Sequence, residues 1–203
     1  MPTVAANELR AALGYAEAGH LVFPVRKNKR PWGDVCPNGL HDATTDADTI
    51  GRWWTRHPNA GIGLWIPDGV VVIDVETVQG HGEDCLAQLA QLQADLGSLP
   101  DTGPLAKTTT GGQHWWLAVD TAMKFYSHPW PGIDVKTHSG YVLVPPGTGR
   151  VDGAIDQAIY EWVEKVRCID GQPPVEAGLR TAPVASNNLT PVTPVTDGNP
   201  VVV

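Results

Sequence analysis

The stretch that most restricts what this chain can fold into is Val70-Val-Val-Ile-Asp-Val-Glu76. A short run of β-branched residues ends in a carboxylate, and after one more apolar residue comes a second. Such a run predicts a buried strand. Residues two apart on a strand face the same side, which sets Asp74 and Glu76 on one face, ~6.6 Å apart along the backbone. Two ionised carboxylates at the end of a buried strand repel each other and lose solvation, and a divalent cation between them relieves both costs. The alternative is a strand that simply runs out into solvent, where acidic residues are ordinary.

The rest of the composition narrows the setting. A chain of 203 residues suits one domain or two small modules and can bury a real core. No apolar run approaches the ~20 residues that span a bilayer, and the amino terminus lacks a basic-then-apolar signal pattern. Cys36, Cys85 and Cys168 are scattered and odd in number, which argues for a reducing compartment. A cytoplasmic protein without a membrane partner is expected. The net charge of −8 tells against gripping nucleic acid with the whole surface, though not with a local basic groove.

Taken in order, Asn7 to Gly19 reads as a helix with Leu9, Ala12, Leu13 and Ala16 on one face. A strand over Leu21 to Val25 leads into Arg26-Lys27-Asn28-Lys29-Arg30, the only dense basic cluster, which is either a solvated loop or a phosphate contact. Asp48 to His57 predicts a second helix, capped by Asp46, with Ile50, Trp53 and Trp54 inward. Ile62 to Ile66 predicts a strand, and Pro67-Asp68-Gly69 a turn making a β-hairpin with the Val70 strand. Glu83 to Leu96 predicts a helix whose apolar stripe is Leu86, Leu89, Leu92 and Leu96. Strands over Leu105 to Thr110 and His114 to Val119 flank Gly111-Gly112, a strong hairpin signal. Further strands are expected over Gly132 to Lys136 and Tyr141 to Val144, joined by Thr-His-Ser-Gly. Residues Ile155 to Val166 fit either a helix or a short strand. From about Gly171 the chain reads as a Pro/Val/Thr-rich linker or tail. The pattern of elements is that of a split β-α-β plait in an α/β (α+β) chain.

Two further groups join the acidic pair. In Thr109-Thr-Gly-Gly-Gln-His114 the glycines permit close backbone approach, turn N–H groups suit phosphate oxygens, and His114 can address the same phosphate. An ordinary hairpin that happens to be followed by a histidine is the bland alternative. In Gly132-Ile-Asp-Val-Lys136, Asp134 supplies a third carboxylate and Lys136 points the same way two residues on. A surface Asp–Lys pair is the alternative there.

The order of these motifs resembles the bifunctional primase/polymerase (Prim-Pol) domains of the archaeo-eukaryotic primase superfamily, found in replication proteins of plasmids, phages and integrated elements. The resemblance covers most of residues 5 to 165. It runs through Gly19-His-Leu-Val-Phe-Pro24, Arg30-Pro31, Asp42-Ala-Thr-Thr-Asp46, Trp53-Trp54, Pro58 and Ile62-Gly63. It continues through Asp74-Val-Glu76, Gly111-Gly112-Gln-His114, Gly132-Ile-Asp134-Val-Lys136 and Gly140-Tyr-Val to Pro145-Pro146. It implies an αβ module (about 1–68) followed by an RRM-like catalytic module (69–170), with 171–203 as the tail. Asp74, Glu76 and Asp134 would be catalytic carboxylates holding two Mg²⁺ or Mn²⁺ ions. His114 would contact the nucleotide phosphates, with Thr110, Gly111, Gly112 and Lys136 beside it. Arg26, Lys27, Lys29, Arg30 and Lys107 would meet DNA. The implied activity is template-directed synthesis and extension of primers from NTPs or dNTPs on single-stranded DNA, in phage or plasmid replication.

Some relatives carry a zinc stem. Here Cys36 and His41 are the only close pair, two ligands where a tetrahedral site needs four, so zinc is not expected. No G-x-x-x-x-G-K-[ST] loop occurs, so a helicase module is expected elsewhere in a longer natural chain. Two other functions fit parts of the sequence. Pro67-Asp68 with Asp134-Val-Lys136 matches a metal-dependent nuclease pattern of the P-D…D-x-K type, and a non-catalytic nucleotide- or DNA-binding module needs no turnover at all.

Overall fold

The computed structural model describes residues 4–78, 85–99, 106–108, 110–121, 123–146, 156, 157 and 162. Among them α1 (Val4–Glu17) precedes β1 (Val22–Val25), and a 3₁₀ turn (Gly39–Asp42) precedes α2 (Ala47–Arg56). Then come β2 (Gly61–Trp65), β3 (Val70–Val75), α3 (Cys85–Leu96), β4 (Ala106–Lys107) and β5 (Gln113–Ala118). β6 (Ile133–Lys136), β7 (Tyr141–Val144) and β8 (Asp156–Gln157) complete the chain of elements. This is a mixed α/β protein. No helix among the described residues is long and apolar enough to cross a membrane. The tail from 171, and all but three residues of the ambiguous 155–166 segment, lie outside the described residues.

The caps and periodicities explain the helices. Asp46 accepts from Thr49 N at 2.8 Å, satisfying an N–H that the first turn of α2 leaves open, and Ile50, Trp53 and Trp54 turn inward. In α3 the inward stripe is Cys85, Leu89, Leu92 and Leu96, whereas Leu86, expected inside, is exposed. Both stripes have helical spacing. Cys85 turns inward beside Gly132, where a side-chain Cβ would collide with its thiol.

There are two sheets. The first is antiparallel, in the order β1-β2-β7; the second runs β4-β5-β3-β6, with β8 added parallel to β5. The Gly-Gly hairpin between β4 and β5 forms as expected. The hairpin expected between β2 and β3 does not: β2 lies between β1 and β7, and β3 between β5 and β6. The turn at Pro67-Asp68-Gly69 carries the chain from one sheet to the other, and Thr137 to Gly140 carries it back. These two crossings hold each other, through Ile66 N to Gly140 O at 3.4 Å and Trp65 Nε1 to His138 O at 2.8 Å. Consequently β7, which lies beyond the expected module boundary at 68/69, completes the first sheet.

In the second sheet, α3 crosses from β3 to β4 with β5 between them, the split β-α-β arrangement. The connection from β5 to β6 carries no helix among its described residues. One face, with Val71, Ile73, Val75, Trp115, Leu117, Ile133 and Val135, packs on α3 and Trp162. From the opposite face Val70, Val72 and Trp116 join the cluster formed by α1, α2 and the first sheet. Each Val or Ile so buried contributes about 1.5–3 kcal/mol. That support lets the next position on this second face be occupied by a buried acid, Asp74.

Candidate active site

Asp74 lies directly opposite His114 on β5 and directly opposite Asp134 on β6. Directly paired residues share a sheet face, so His114, Asp74 and Asp134 form one row across three adjacent strands. Lys136, two residues past Asp134, faces the same way and is paired with Val72. Its Nζ stands 2.8 Å from Asp134 Oδ2 and 3.4 Å from Asp74 Oδ2. His114 Nε2 approaches Asp74 Oδ1 at 3.3 Å, an ion-pair distance, but off the line a hydrogen bond needs.

The electrostatics follow from burial and these neighbours. Burial alone would raise the Asp74 pKa, but His114 and Lys136 outweigh it and hold the carboxyl below its ordinary value. Asp134 follows the same logic: burial opposes ionisation, while Lys136 and His128 more than compensate. Burial works against the Lys136 ammonium, yet Asp134 and Asp74 raise its pKa above the ordinary value. The three charges therefore sustain one another. Among the described residues, two atoms of this row are buried without a hydrogen-bond partner, Asp74 Oδ1 and His114 Nδ1, on side chains more than nine-tenths buried.

The turn before β5 aims His114. Gly111 sits at φ +88°, and a Cβ on Gly112 would meet Val75 O at 2.7 Å and Thr108 Oγ1 at 2.9 Å. Only glycine fits such an approach. Both amides, expected to face phosphate oxygens, are donated within the turn: Gly111 N to Thr108 O at 3.0 Å and Gly112 N to Thr108 Oγ1 at 2.8 Å. Thr110 is fixed as well, its carbonyl accepting from Thr77 Oγ1 at 2.8 Å and its hydroxyl lying 3.0 Å from that of Thr108. Thr109 lies outside the described residues.

Glu76 stands just past the end of β3, half-buried, with its N–H donated to Gly132 O at 2.9 Å. No group of three His, Cys, Asp or Glu side chains arranged to hold a metal ion is found among the described residues. The chemistry of the row nevertheless suits a hard divalent cation. Two carboxylates already share one positive partner, and a buried carboxylate oxygen has unused acceptor capacity.

The family profile of the bifunctional DNA primase/polymerase N-terminal domain (Prim-Pol) matches residues 12–186. The chain belongs to this family. No curated protein matches it. Membership carries DNA primase/polymerase-type nucleotidyl transfer as the general activity of such domains.

One neighbour of Asp134 is not foreseen by the sequence reading. His128 Nδ1 lies 2.7 Å from Asp134 Oδ1. It is held there because Val135 N donates to Ser127 O at 2.8 Å and Trp130 bridges to Ile133, folding the segment before β6 back along that strand. The only signal for this was Trp130-Pro-Gly132, a tight reversal that brings the sixth residue before Asp134 alongside it.

The basic residues lie elsewhere. Arg26 to Arg30 form an exposed loop after β1, closed by Arg26 N to Arg30 O at 2.8 Å and tied to β7 by Tyr141 OH donating to Lys29 O at 2.6 Å. Arg26 packs over Trp32, and Lys107 is exposed at the end of β4. Asp68, the acid required by the nuclease pattern, pairs with His138 in the crossing turn, while Lys136 pairs with Asp134 and Asp74. Cys36 is buried, and burial, then Asp42 and Asp34, push its thiol up to about 12, so it is a neutral thiol at neutral pH.

Proposed function

We propose that this domain is a template-directed nucleotidyltransferase that makes and extends primers in phage or plasmid replication. The observation that carries this reading is the pairing of Asp74 with Asp134 across β3 and β6 under a single shared cation. Asp74 and Asp134, with Glu76 at the end of the same strand, are the residues to hold Mg²⁺ or Mn²⁺. Such ions, when bound, lower the pKa of a primer 3′-hydroxyl and stabilise charge on departing pyrophosphate.

The remaining work belongs to the protein. The Gly-Gly turn fixes the backbone of His114 beside Asp74, so that the imidazole and the side chains of Thr110 and Lys136 position the nucleotide phosphates. Positioning of this kind is the main contribution a protein makes to phosphoryl transfer. Because the Gly111 and Gly112 amides are already donated, the turn acts by aiming His114. The Arg26–Arg30 loop, stiffened by its own hydrogen bonds and by Tyr141, offers exposed cations to single-stranded template, with Lys107 as a further contact. Residues 1–170 form the catalytic domain in this reading, with a helicase module in the same natural chain.

The test is a labelled primer on a longer template, incubated with Mg²⁺ or Mn²⁺ and either nucleotide type, alongside a template without primer. Lengthening that is lost in Asp74→Ala and Asp134→Ala is expected. Shortening of the strand, or near-native extension by either variant, overturns the assignment.

A further inference from the structure

We propose that Lys136 is the resident cation of the carboxylate pair in the metal-free protein, and that a divalent ion enters by displacing its ammonium group. The inference deepens the nucleotidyltransferase reading and rests on it.

The geometry is that of an occupied cation position. Nζ contacts Oδ2 of Asp134 at 2.8 Å and Oδ2 of Asp74 at 3.4 Å, so it occupies the space between the two acids that would hold a metal ion. Without it, Asp74 would be a buried carboxylate that has lost its ammonium partner, a costly arrangement in a sheet interior. The lysine therefore makes the metal-free site compatible with folding. It is also able to leave. The Lys136 side chain keeps 31% of its surface exposed, whereas Asp74 keeps 9% and His114 4%. A flexible four-carbon stem lets the ammonium swing into solvent while the acids stay in place.

Asp74 Oδ1, which has His114 Nε2 at 3.3 Å but no aligned hydrogen bond, is the second sign that the lysine does not complete the site. A single ammonium engages one oxygen of each acid, and a divalent ion with a larger appetite for oxygen can also draw on the one left over. Once displaced, the ammonium is two residues from Asp134 and free to meet an anionic phosphate. Metal loading and triphosphate binding would thereby be coupled through one side chain.

The experiment is a calorimetric Mn²⁺ titration, without nucleotide or DNA, of the whole chain as wild type, Lys136→Met and Lys136→Arg, with thermal unfolding of each. Removing the competitor should tighten Mn²⁺ binding by about fivefold, as for the loss of one modest ion pair. The methionine variant should melt lower without metal and gain more from Mn²⁺ than wild type, and the arginine variant should restore the weaker binding. A second measurement needs no variant: acylation of Lys136 in the wild type, read by mass spectrometry, should rise when Mn²⁺ is added. Equal or weaker Mn²⁺ binding by Lys136→Met, or Lys136 labelling indifferent to Mn²⁺ that demonstrably binds, overturns the displacement proposal and leaves the carboxylate site standing. Absence of Mn²⁺ binding in both wild type and Lys136→Met overturns the metal-site reading as well.

Discussion

Two clusters in this molecule are made of the same ingredients, an aspartate, a histidine and one strong cation, and they are built to opposite standards. In the first, Asp34 accepts from Arg56 Nε at 2.7 Å through Oδ2, and His57 Nε2 lies 3.0 Å from Oδ1 and 2.9 Å from Oδ2. His57 is stacked on Trp32 at 3.8 Å, so the cluster fastens the loop after β1 to the end of α2. Both carboxylate oxygens are paired and the group lies at the surface. In the second, His114, Asp74 and Lys136 are set into the face of a sheet, and an acid oxygen and a ring nitrogen remain unmatched there. A cluster that only holds two elements together can satisfy itself. One that must receive a ligand keeps capacity in reserve, and the protein bears that cost where the sheet is best supported.

The largest expected difference separates the two aspartate sets by activity. Asp74→Ala and Asp134→Ala should each reduce primer extension by about a thousandfold or more, the scale of removing electrostatic support from a reacting phosphate. Asp34→Ala should leave extension within about twofold of wild type, since exposed pairs contribute little. Equal losses from Asp34→Ala and Asp134→Ala would erase the distinction between a fastening and a site.

A second test shifts the site without touching its charges. Gly112→Ala drives a Cβ against the Val75 carbonyl and Thr108, so the hairpin must move. The expected cost is about 2 kcal/mol of stability, and about a hundredfold in extension if His114 is displaced by about 1 Å. Urea unfolding and primer extension on the same preparation check both. Full activity at reduced stability would mean that His114 need not be aimed. A smaller effect belongs to His128→Ala, which removes the support of Asp134 on its exposed side: about tenfold weaker extension, with Mn²⁺ binding weakened to a similar degree.

The sequence disclosed the local elements more readily than their partners. The Asp46 cap, the α2 face and the Gly111-Gly112 turn each depend on neighbours within a few residues, and each formed where periodicity and turn chemistry placed it. The β2–β3 pairing failed because Pro67-Asp68-Gly69 encodes a reversal of direction, while the choice of strand edge depends on β5 and β6, more than forty residues away. Leu86 lies outside for a related reason: two stripes on α3 have equal periodicity, and the space for Cys85 beside Gly132 is set by a residue distant in the chain. The site shows the same division. Strand alternation fixes the side on which each acid emerges from its own strand, but that β6 lies beside β3, and so Asp134 beside Asp74, is not written in it. Nor is the place of His128, which reaches Asp134 through an irregular fold-back that leaves no periodic trace. Nor is the loss of the Gly111 and Gly112 amides to Thr108, which depends on a side chain turning inward.

The subtlest separation between the clusters is their response to pH and salt. Asp34 is held below the ordinary carboxylate value by Arg56 and His57, and Asp74 and Asp134 are held below it against their burial. A depressed folded value means stability that is present above the unfolded pKa, about 4, and lost as pH falls through the folded one. Lys136 has the opposite sign. Its raised value contributes below about 10.4 and is lost as pH rises through the folded one. The melting-temperature gap between wild type and Asp134→Asn, about 2–4 °C, should therefore be open from about pH 5 to 10 and close on both sides. The Asp34→Asn gap should close on the acid side alone. In 1 M salt, where screening acts over about 3 Å, the Asp34 gap should vanish while the larger part of the Asp134 gap survives, because the Asp134–Lys136 pair is partly shielded from ions. Equal shrinkage of both gaps would show that the sheet-embedded cluster is solvated like the surface one, and that its unmatched oxygen is no reserve for a ligand.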